Sequence, residues 1–261
     1  MTFITGNIEI KAFEFELFKK QSQIVHGVFT RDGGTSTGAF DSLNIGINSG
    51  DELSAITNNR KRIIQKMGMK SLVFLNQVHG ADIKVLKKND NDLPENFLPG
   101  KESYTADGIM TDIKDLFLVI QVADCQAVLL YDPEKQVIAN IHSGWRGSVK
   151  NILGKCVDKM IQEFGCQPGN IMTGISPSLG PCCAEFVNYK DEIPKKLWQY
   201  KIENKEYFDF WEMSKAQLMD RGIKEKHIEI MEICTKCNTD IFYSFRGEKT
   251  TGRFACVISI I

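Results

Sequence analysis

The chain is short of histidine, proline and tryptophan, and its charges nearly cancel. Its 261 residues include four histidines, seven prolines and three tryptophans, and 32 Lys+Arg against 33 Asp+Glu leave a net charge of −1. That balance excludes whole-molecule attraction to nucleic acid or to an anionic membrane as the basis of function. No apolar run reaches the ~18 residues of a membrane span. The opening stretch MTFITGNIEIKAFEFELFKK intersperses Glu and Lys among its apolar residues, which is not the pattern of a signal peptide. Without an export signal, the eight cysteines (Cys125, Cys156, Cys166, Cys182, Cys183, Cys234, Cys237 and Cys256) read as thiols of a cytoplasmic protein. What is present, 43% hydrophobic and 25% charged residues, suffices for a self-contained core and excludes disorder and a disulfide miniprotein. One domain over residues 1–261 is expected.

Periodicity supplies the elements. IEIKAFEFELF, from Ile8 to Phe18, alternates in period two and reads as a strand; IVHGVFT is a second, ending at the glycine-rich loop RDGGTSTG. Residues 52–67 carry apolar positions at helical spacing, with Gly68 as the stop. SLVFLNQV and IKVLK are strands on either side of His79-Gly80, and the polar segment 88–101 is a surface loop. LFLVIQVADC, AVLLYD and QVIANIHS are nearly unbroken apolar runs, as expected of strands covered on both faces. A helix over 148–164 with Ser148 as N-cap, the strand IMTGISP, a helical stretch around 190–220, a short strand in HIEIMEI and a final strand GRFACVISII complete the reading. Both kinds of strand pattern mixed with helices indicate an α/β (α+β) layered fold, mixed β-sheets flanked by helices.

His79, Cys125 and His142 each follow an apolar strand, and strand ends are where a layered fold gathers distant side chains. Their separations match no zinc-finger spacing, so they must converge through the fold. Two imidazoles and a thiolate suit Zn²⁺ or copper and leave a fourth position for water or substrate. The plainer alternative is that each histidine caps its strand and Cys125 is a small buried hydrophobe. Asp124 is a candidate proton shuttle or imidazole orienter, with a strand-capping turn as the alternative.

Other signals are weaker. Cys234-x-x-Cys237 has the spacing of half a structural zinc site, but no second such pair exists, and the adjacent Cys182 and Cys183 are expected not to present both sulfurs to one ion. These four therefore read as buried or half-buried thiols. The 31–38 loop offers backbone N–H groups to an anion. Arg246, Lys249 and Arg253 form a second anion candidate, and Trp145 and Tyr243 are candidates to stack on a planar ligand.

Taken together, HGVFTRDGGTSTGAFDSLNIG, NQVHGAD, ADGIMTD, VADCQAVLLYD, IHSGWRG, GISPSLGPCC and FYSFRGEKTTGRFACVI resemble, in order, the signature blocks of the laccase-domain family of bacterial YfiH and YlmD proteins, also called multicopper polyphenol oxidases. The resemblance runs from about residue 25 to the C-terminus. It implies an α/β fold similar to the deamidase domain of cytotoxic necrotizing factor toxins, and metal ligation by His79, Cys125 and His142. It also implies substrate contacts from Asn44, Gln77, Arg146, Ser244, Arg246 and Arg253. Gly247 stands where relatives tend to carry a second arginine. Multicopper oxidase chemistry needs many more histidine ligands than the four in this chain.

The activity that the resemblance implies is phosphorolysis of adenosine, inosine and 5′-methylthioadenosine, with deamination of adenosine. Zinc is the expected metal and copper the alternative. A purine nucleoside and phosphate are the expected partners, and the protein is a monomer or homodimer. Deamination needs an activated water at C6 and a carboxylate to carry the proton, from Asp124 or, second, Glu185. Phosphorolysis needs cationic or N–H holders for phosphate, for which Arg146, Arg246 and the loop after Arg31 are the candidates. A metal-free Cys–His hydrolase built on Cys125 and His142, a copper-dependent phenol oxidase and a metal-binding or redox-responsive interaction protein are the competing readings.

Overall fold

A computed structural model describes residues 10–68, 71–88 and 101–261. The first two residues expected in the N-terminal strand, and nearly all of the expected loop over 88–101, lie outside the described residues.

The strands form two six-stranded mixed sheets. The first has the order β1 (Ala12–Phe13), β2 (Ile24–Phe29), β12 (Phe254–Ile260), β7 (Leu116–Val122), β3 (Ser71–Asn76), β5 (Tyr104–Thr105). The second has the order β11 (Ile228–Ile230), β10 (Met172–Ile175), β8 (Gln126–Asp132), β9 (Val137–Ser143), β6 (Gly108–Thr111), β4 (Ile83–Leu86). Their inner faces interdigitate: Val73, Leu118, Ile120, Cys256 and Ile258 of the first pack with Ala127, Leu129, Tyr131 and Ile138 of the second. Helix α2 (Leu53–Met67) covers the outer face of the first sheet through Ile63, against Leu72, Phe74, Phe117 and Val257. Helix α4 (Ile152–Phe164) covers the second through Ile152, Cys156, Val157 and Met160, against Val128, Leu130, Ala139 and Ile141. Each sheet thus lies between its partner and a helix. That is why β7, β8 and β9 are apolar on both sides and buried almost throughout.

The sequence expectations hold for α2, whose C-cap Gly68 is left-handed at φ 69°, and for the long central strands. Three expectations are corrected. The alternating N-terminal segment is a strand only at Ala12–Phe13 and turns into helix α1 (Glu16–Lys19). There the carboxylate of Glu229 accepts the N–H groups of Glu16 and Leu17, and His26 Nε2 accepts that of Phe15; these distant partners satisfy the helix start, and local alternation cannot reveal them. Ser148 lies inside a short helix α3 (Trp145–Val149), and α4 is capped by Asn151, whose side chain accepts from Gly154 N–H. The stretch around 190–220 is broken into α5 (Tyr189–Glu192), a 3-10 turn over Lys195–Tyr200 and α6 (Phe210–Met219). Among the described residues, no helix is long and apolar enough to cross a membrane.

Four of the connections that carry the chain between the sheets bear on the site. Residues 77–82 join β3 to β4, 106–107 join β5 to β6, 123–125 join β7 to β8, and 231–253 return from β11 to β12. His79, Cys125, Arg246 and Arg253 lie on these crossings, and His142 lies on β9.

Candidate active site

His79 lies in the first crossing, Asp107 in the second and Cys125 in the third, while His142 is near the end of β9, opposite Ala127 of β8. Tight crossings force backbone that side chains rarely adopt: φ is 57° at His79 and 86° at Asp124. Asp107 is fully buried and organises the first crossing. Its carboxylate accepts the N–H of His79 at 2.8 Å, that of Gly80 at 2.6 Å and that of Val78 at 3.4 Å. It also accepts Nδ1–H of His142 at 2.8 Å, and its backbone carbonyl accepts the His142 N–H at 2.7 Å. Nδ1 of His142 is thereby committed, and Nε2 is left for a metal or a thiol.

The ligating atoms of His79, Cys125 and His142 lie within 4.8 Å of one another, and the two imidazoles meet edge to face with centroids 4.9 Å apart. Burial opposes ionisation of Cys125, but His142 and His79 outweigh it and bring the thiol down to about 6. Burial likewise opposes charge on His142, and Cys125 with Asp107 lifts it to about 9. Asp107 resists its own burial through the His142 and Gly80 hydrogen bonds, which hold its carboxyl below the usual range. Gly144 completes the cluster by having no side chain: a Cβ there would stand 3.0 Å from Cys125 Sγ and 3.2 Å from His79 Cδ2. Two imidazoles, one of them oriented by Asp107, an acidic thiol and this close cradle fit a single borderline-soft ion.

The cluster opens into a cavity of about 540 Å³, a size suited to a small organic ligand. Gln77, Arg146, Arg246 and Arg253 of the expected substrate contacts line it, together with Trp145, Phe186, Phe210 and Phe245. Gln77 is locked to the backbone of Gln121, donating to its carbonyl at 2.9 Å and accepting its N–H at 3.0 Å. The Arg246 guanidinium donates to the Glu185 carbonyl at 2.9 Å, and that of Arg146 lies over Trp145. Burial lowers the pKa of the Arg253 guanidinium, and Cys125 and Asp124 counter it.

Several sequence expectations are corrected. Asn44 and Ser244 are fully buried and do not line the cavity. Asn44 bonds Ser49, Asp51, Gly46 N–H and Arg253 N–H, and the Ser244 hydroxyl bonds Asp124 and caps the short helix α7 (Phe245–Glu248). Both therefore build the wall behind the arginines. Asp124 lines the cavity, yet its carboxylate already accepts from Thr235 Oγ1 at 2.7 Å, Ser244 Oγ at 2.6 Å and Arg246 N–H at 2.5 Å. The 31–38 loop is no anion cradle, because the N–H groups of Asp32, Gly34, Thr35 and Ser36 bond Thr30, Ser42, Asn59 and Ser42 respectively. Tyr243 is buried under Arg31 with its hydroxyl donating to the Phe40 carbonyl, so it faces no ligand. Glu185 and Lys249 border a smaller neighbouring cleft. Cys182 and Cys237, expected buried or half-buried, are exposed. Sequence reasoning missed Asp107 and Gly144, though both sit inside the quoted blocks ADGIMTD and IHSGWRG.

Comparison with known proteins gives a consistent placement. Residues 25–261 match the family described as multi-copper polyphenol oxidoreductase laccase. The chain is 31% identical over 249 residues to "Purine nucleoside phosphorylase YlmD" of Geobacillus stearothermophilus, covering 90% of this chain and 89% of the relative. It is 30% identical over 241 residues to "Purine nucleoside phosphorylase YfiH" of Escherichia coli, covering 89% and 92%. The crystal structure of YlmD from Geobacillus stearothermophilus superposes with a TM-score of 0.85 at 28% identity, over 99% of this chain and 98% of that one. With its two mixed sheets, its flanking helices and the His79–Cys125–His142 cluster at the crossings between them, the chain belongs to the multi-copper polyphenol oxidoreductase laccase family that includes YlmD and YfiH.

Proposed function

We propose that this protein is a purine nucleoside phosphorylase that cleaves adenosine, inosine and 5′-methylthioadenosine to the base and the (methylthio)ribose 1-phosphate, and that it also deaminates adenosine. The observation that carries the reading is one cavity holding both the His79–Cys125–His142 cluster and three arginines, Arg146, Arg246 and Arg253. The names of the relatives point the same way. His79, Cys125 and His142 would hold zinc, which supplies Lewis acidity at that end of the cavity. The arginines hold phosphate for attack on C1′, and the aromatic wall of Trp145, Phe186, Phe210 and Phe245 takes the planar base. As the C1′–N9 bond breaks, its electron pair leaves with the base while C1′ passes through an oxocarbenium-like state. Asp124 positions this machinery: through Ser244 and the Arg246 N–H it fixes the turn that carries the Arg246 guanidinium. The whole chain works as one domain in the cytoplasm.

A product assay tests the reading: purified protein is given adenosine with and without phosphate, beside Cys125→Ala, with elemental analysis of both. Adenine formed only with phosphate, inosine formed without it, and loss of metal and both products in the variant are expected. A metal-loaded wild type that turns over no nucleoside would overturn it.

A second reading has its own observation. Asp107, His142 and Cys125 form an acid–imidazole–thiol series with an acidic thiol, as a metal-free Cys–His hydrolase requires. That enzyme would tolerate chelators and loss of His79, whereas His79 stands within ligand distance of Cys125.

A further inference from the structure

Outside the cavity, the described residues contain one other cluster of metal-ligating side chains. Cys182 and Cys183 come from the turn after β10, and Cys234 and Cys237 from the crossing between β11 and β12. All four are free thiols, and their sulfurs lie within 4.8 Å of one another. Cys237 Sγ stands 3.8 Å from Cys182 Sγ and 3.5 Å from Cys183 Sγ. Four thiolates around a tetrahedral zinc at about 2.3 Å are separated by about 3.8 Å, so little movement is required.

The backbone brings the two segments together without help from the sulfurs. Ser178 N–H donates to the Ile233 carbonyl at 3.1 Å and Thr235 N–H to the Ser178 carbonyl at 3.0 Å, which sets the two segments side by side. Gly180 permits the approach, since a Cβ there would meet Trp211 at 2.7 Å and Cys234 Cβ at 3.1 Å. Asn238 Nδ2 donates to the Cys234 carbonyl at 2.8 Å and tightens the C-x-x-C turn.

We infer that Cys182, Cys183, Cys234 and Cys237 form a four-thiolate structural zinc site, separate from the His79–Cys125–His142 cluster. The adjacent pair succeeds as ligands because the 180–183 turn, closed by Cys183 N–H to the Gly180 carbonyl at 2.9 Å, folds both sulfurs toward Cys237. The ion ties together the two segments that frame one side of the cavity, for Ser178 and Leu179 line it and Thr235 holds Asp124.

The test reads metal, independently of any activity. Full-length Cys125→Ala, which lacks the other cluster's thiolate, is titrated with zinc under reducing anaerobic conditions and with Co²⁺ in parallel. Retention of one zinc per chain, thiolate-to-cobalt charge-transfer bands with a tetrahedral ligand-field spectrum, and shielding of the exposed Cys182 and Cys237 from a thiol reagent until a chelator is added are expected. The Cys234→Ser/Cys237→Ser double variant in the Cys125→Ala background should lose both the zinc and the bands. Should that variant not fold, thiol shielding in folded Cys125→Ala decides alone. Folded Cys125→Ala that takes up no zinc, holds iron instead, or leaves all four thiols freely reactive in the presence of zinc would overturn the assignment.

Discussion

At the scale of the residue, Asp107 does the most with one side chain. It fixes three successive N–H groups around His79 and the tautomer of His142. In Asp107→Asn an amide NH₂ must face either the Gly80 N–H or the His142 Nδ1–H, so one contact becomes repulsive whichever way it turns. Metal affinity should fall by about 10–100-fold, the usual effect of losing such an orienting partner. Competition with a chromophoric chelator measures this, and an affinity equal to wild type would show that the carboxylate does not orient the site. Gly144→Ala is the complementary test, because the three atoms nearest its added methyl belong to Cys125, His79 and His142. It should strip metal with a melting temperature close to that of the wild type. A fully loaded alanine variant would mean that the cluster does not depend on the space left by Gly144. The convergence of His79, Cys125 and His142 was legible in sequence because each follows an apolar run, whereas Asp107 follows a strand of two residues and Gly144 matters only for what it leaves empty.

At the scale of the element, the crossings explain why the strands are legible in the sequence while the assembly of the site is not. Apolar runs locate β3, β7 and β9, but nothing in them says that β3 and β7 share one sheet while β8 and β9 form the other. The arrangement turns strand ends into neighbours, and the 231–253 crossing delivers Arg246 to them. Asp124 belongs to this scale, since it anchors α7 through Ser244 and the Arg246 N–H. Asp124→Ala should raise KM for phosphate more than it lowers kcat, by displacing Arg246; a proton shuttle would instead lose kcat and one limb of the pH profile.

The start of α1 gives a pH prediction. Burial, with Lys19 adding to it, drops His26 to about 4 from 6.5, and the neutral ring accepts the Phe15 N–H. Between those two values the unfolded chain binds the proton and the folded one does not, so folding stability is complete above pH 6.5 and declines as pH falls toward 4. The full decline is about 3 kcal/mol. In His26→Gln, which keeps an acceptor without titrating, urea midpoints should vary less over that window. An unchanged pH dependence would remove His26 as its cause.

At the scale of the whole molecule, the two sheets meet through an apolar core that carries one directed polar contact between β9 and its neighbours across the interface. Asn140 on β9 sends Nδ2 across to the carbonyls of Leu118 on β7 and Cys256 on β12, at 3.0 and 2.9 Å, from a fully buried position. Dispersion between Leu, Ile and Val side chains tolerates sliding by fractions of an ångström, but these two hydrogen bonds do not. They set β9 against β7 just before the points where those strands deliver His142 and Cys125. Asn140→Leu keeps the approximate volume and removes both donors. The two carbonyls then lose partners in a place water cannot reach, a cost of roughly 2–4 kcal/mol in all. Urea unfolding should show a lower midpoint with an unchanged slope, and metal affinity should drop in the same variant because His142 and Cys125 hang from the strands so joined. If stability falls while metal affinity holds, Asn140 supports the fold alone. If neither moves, the apolar core sets the sheet register without it.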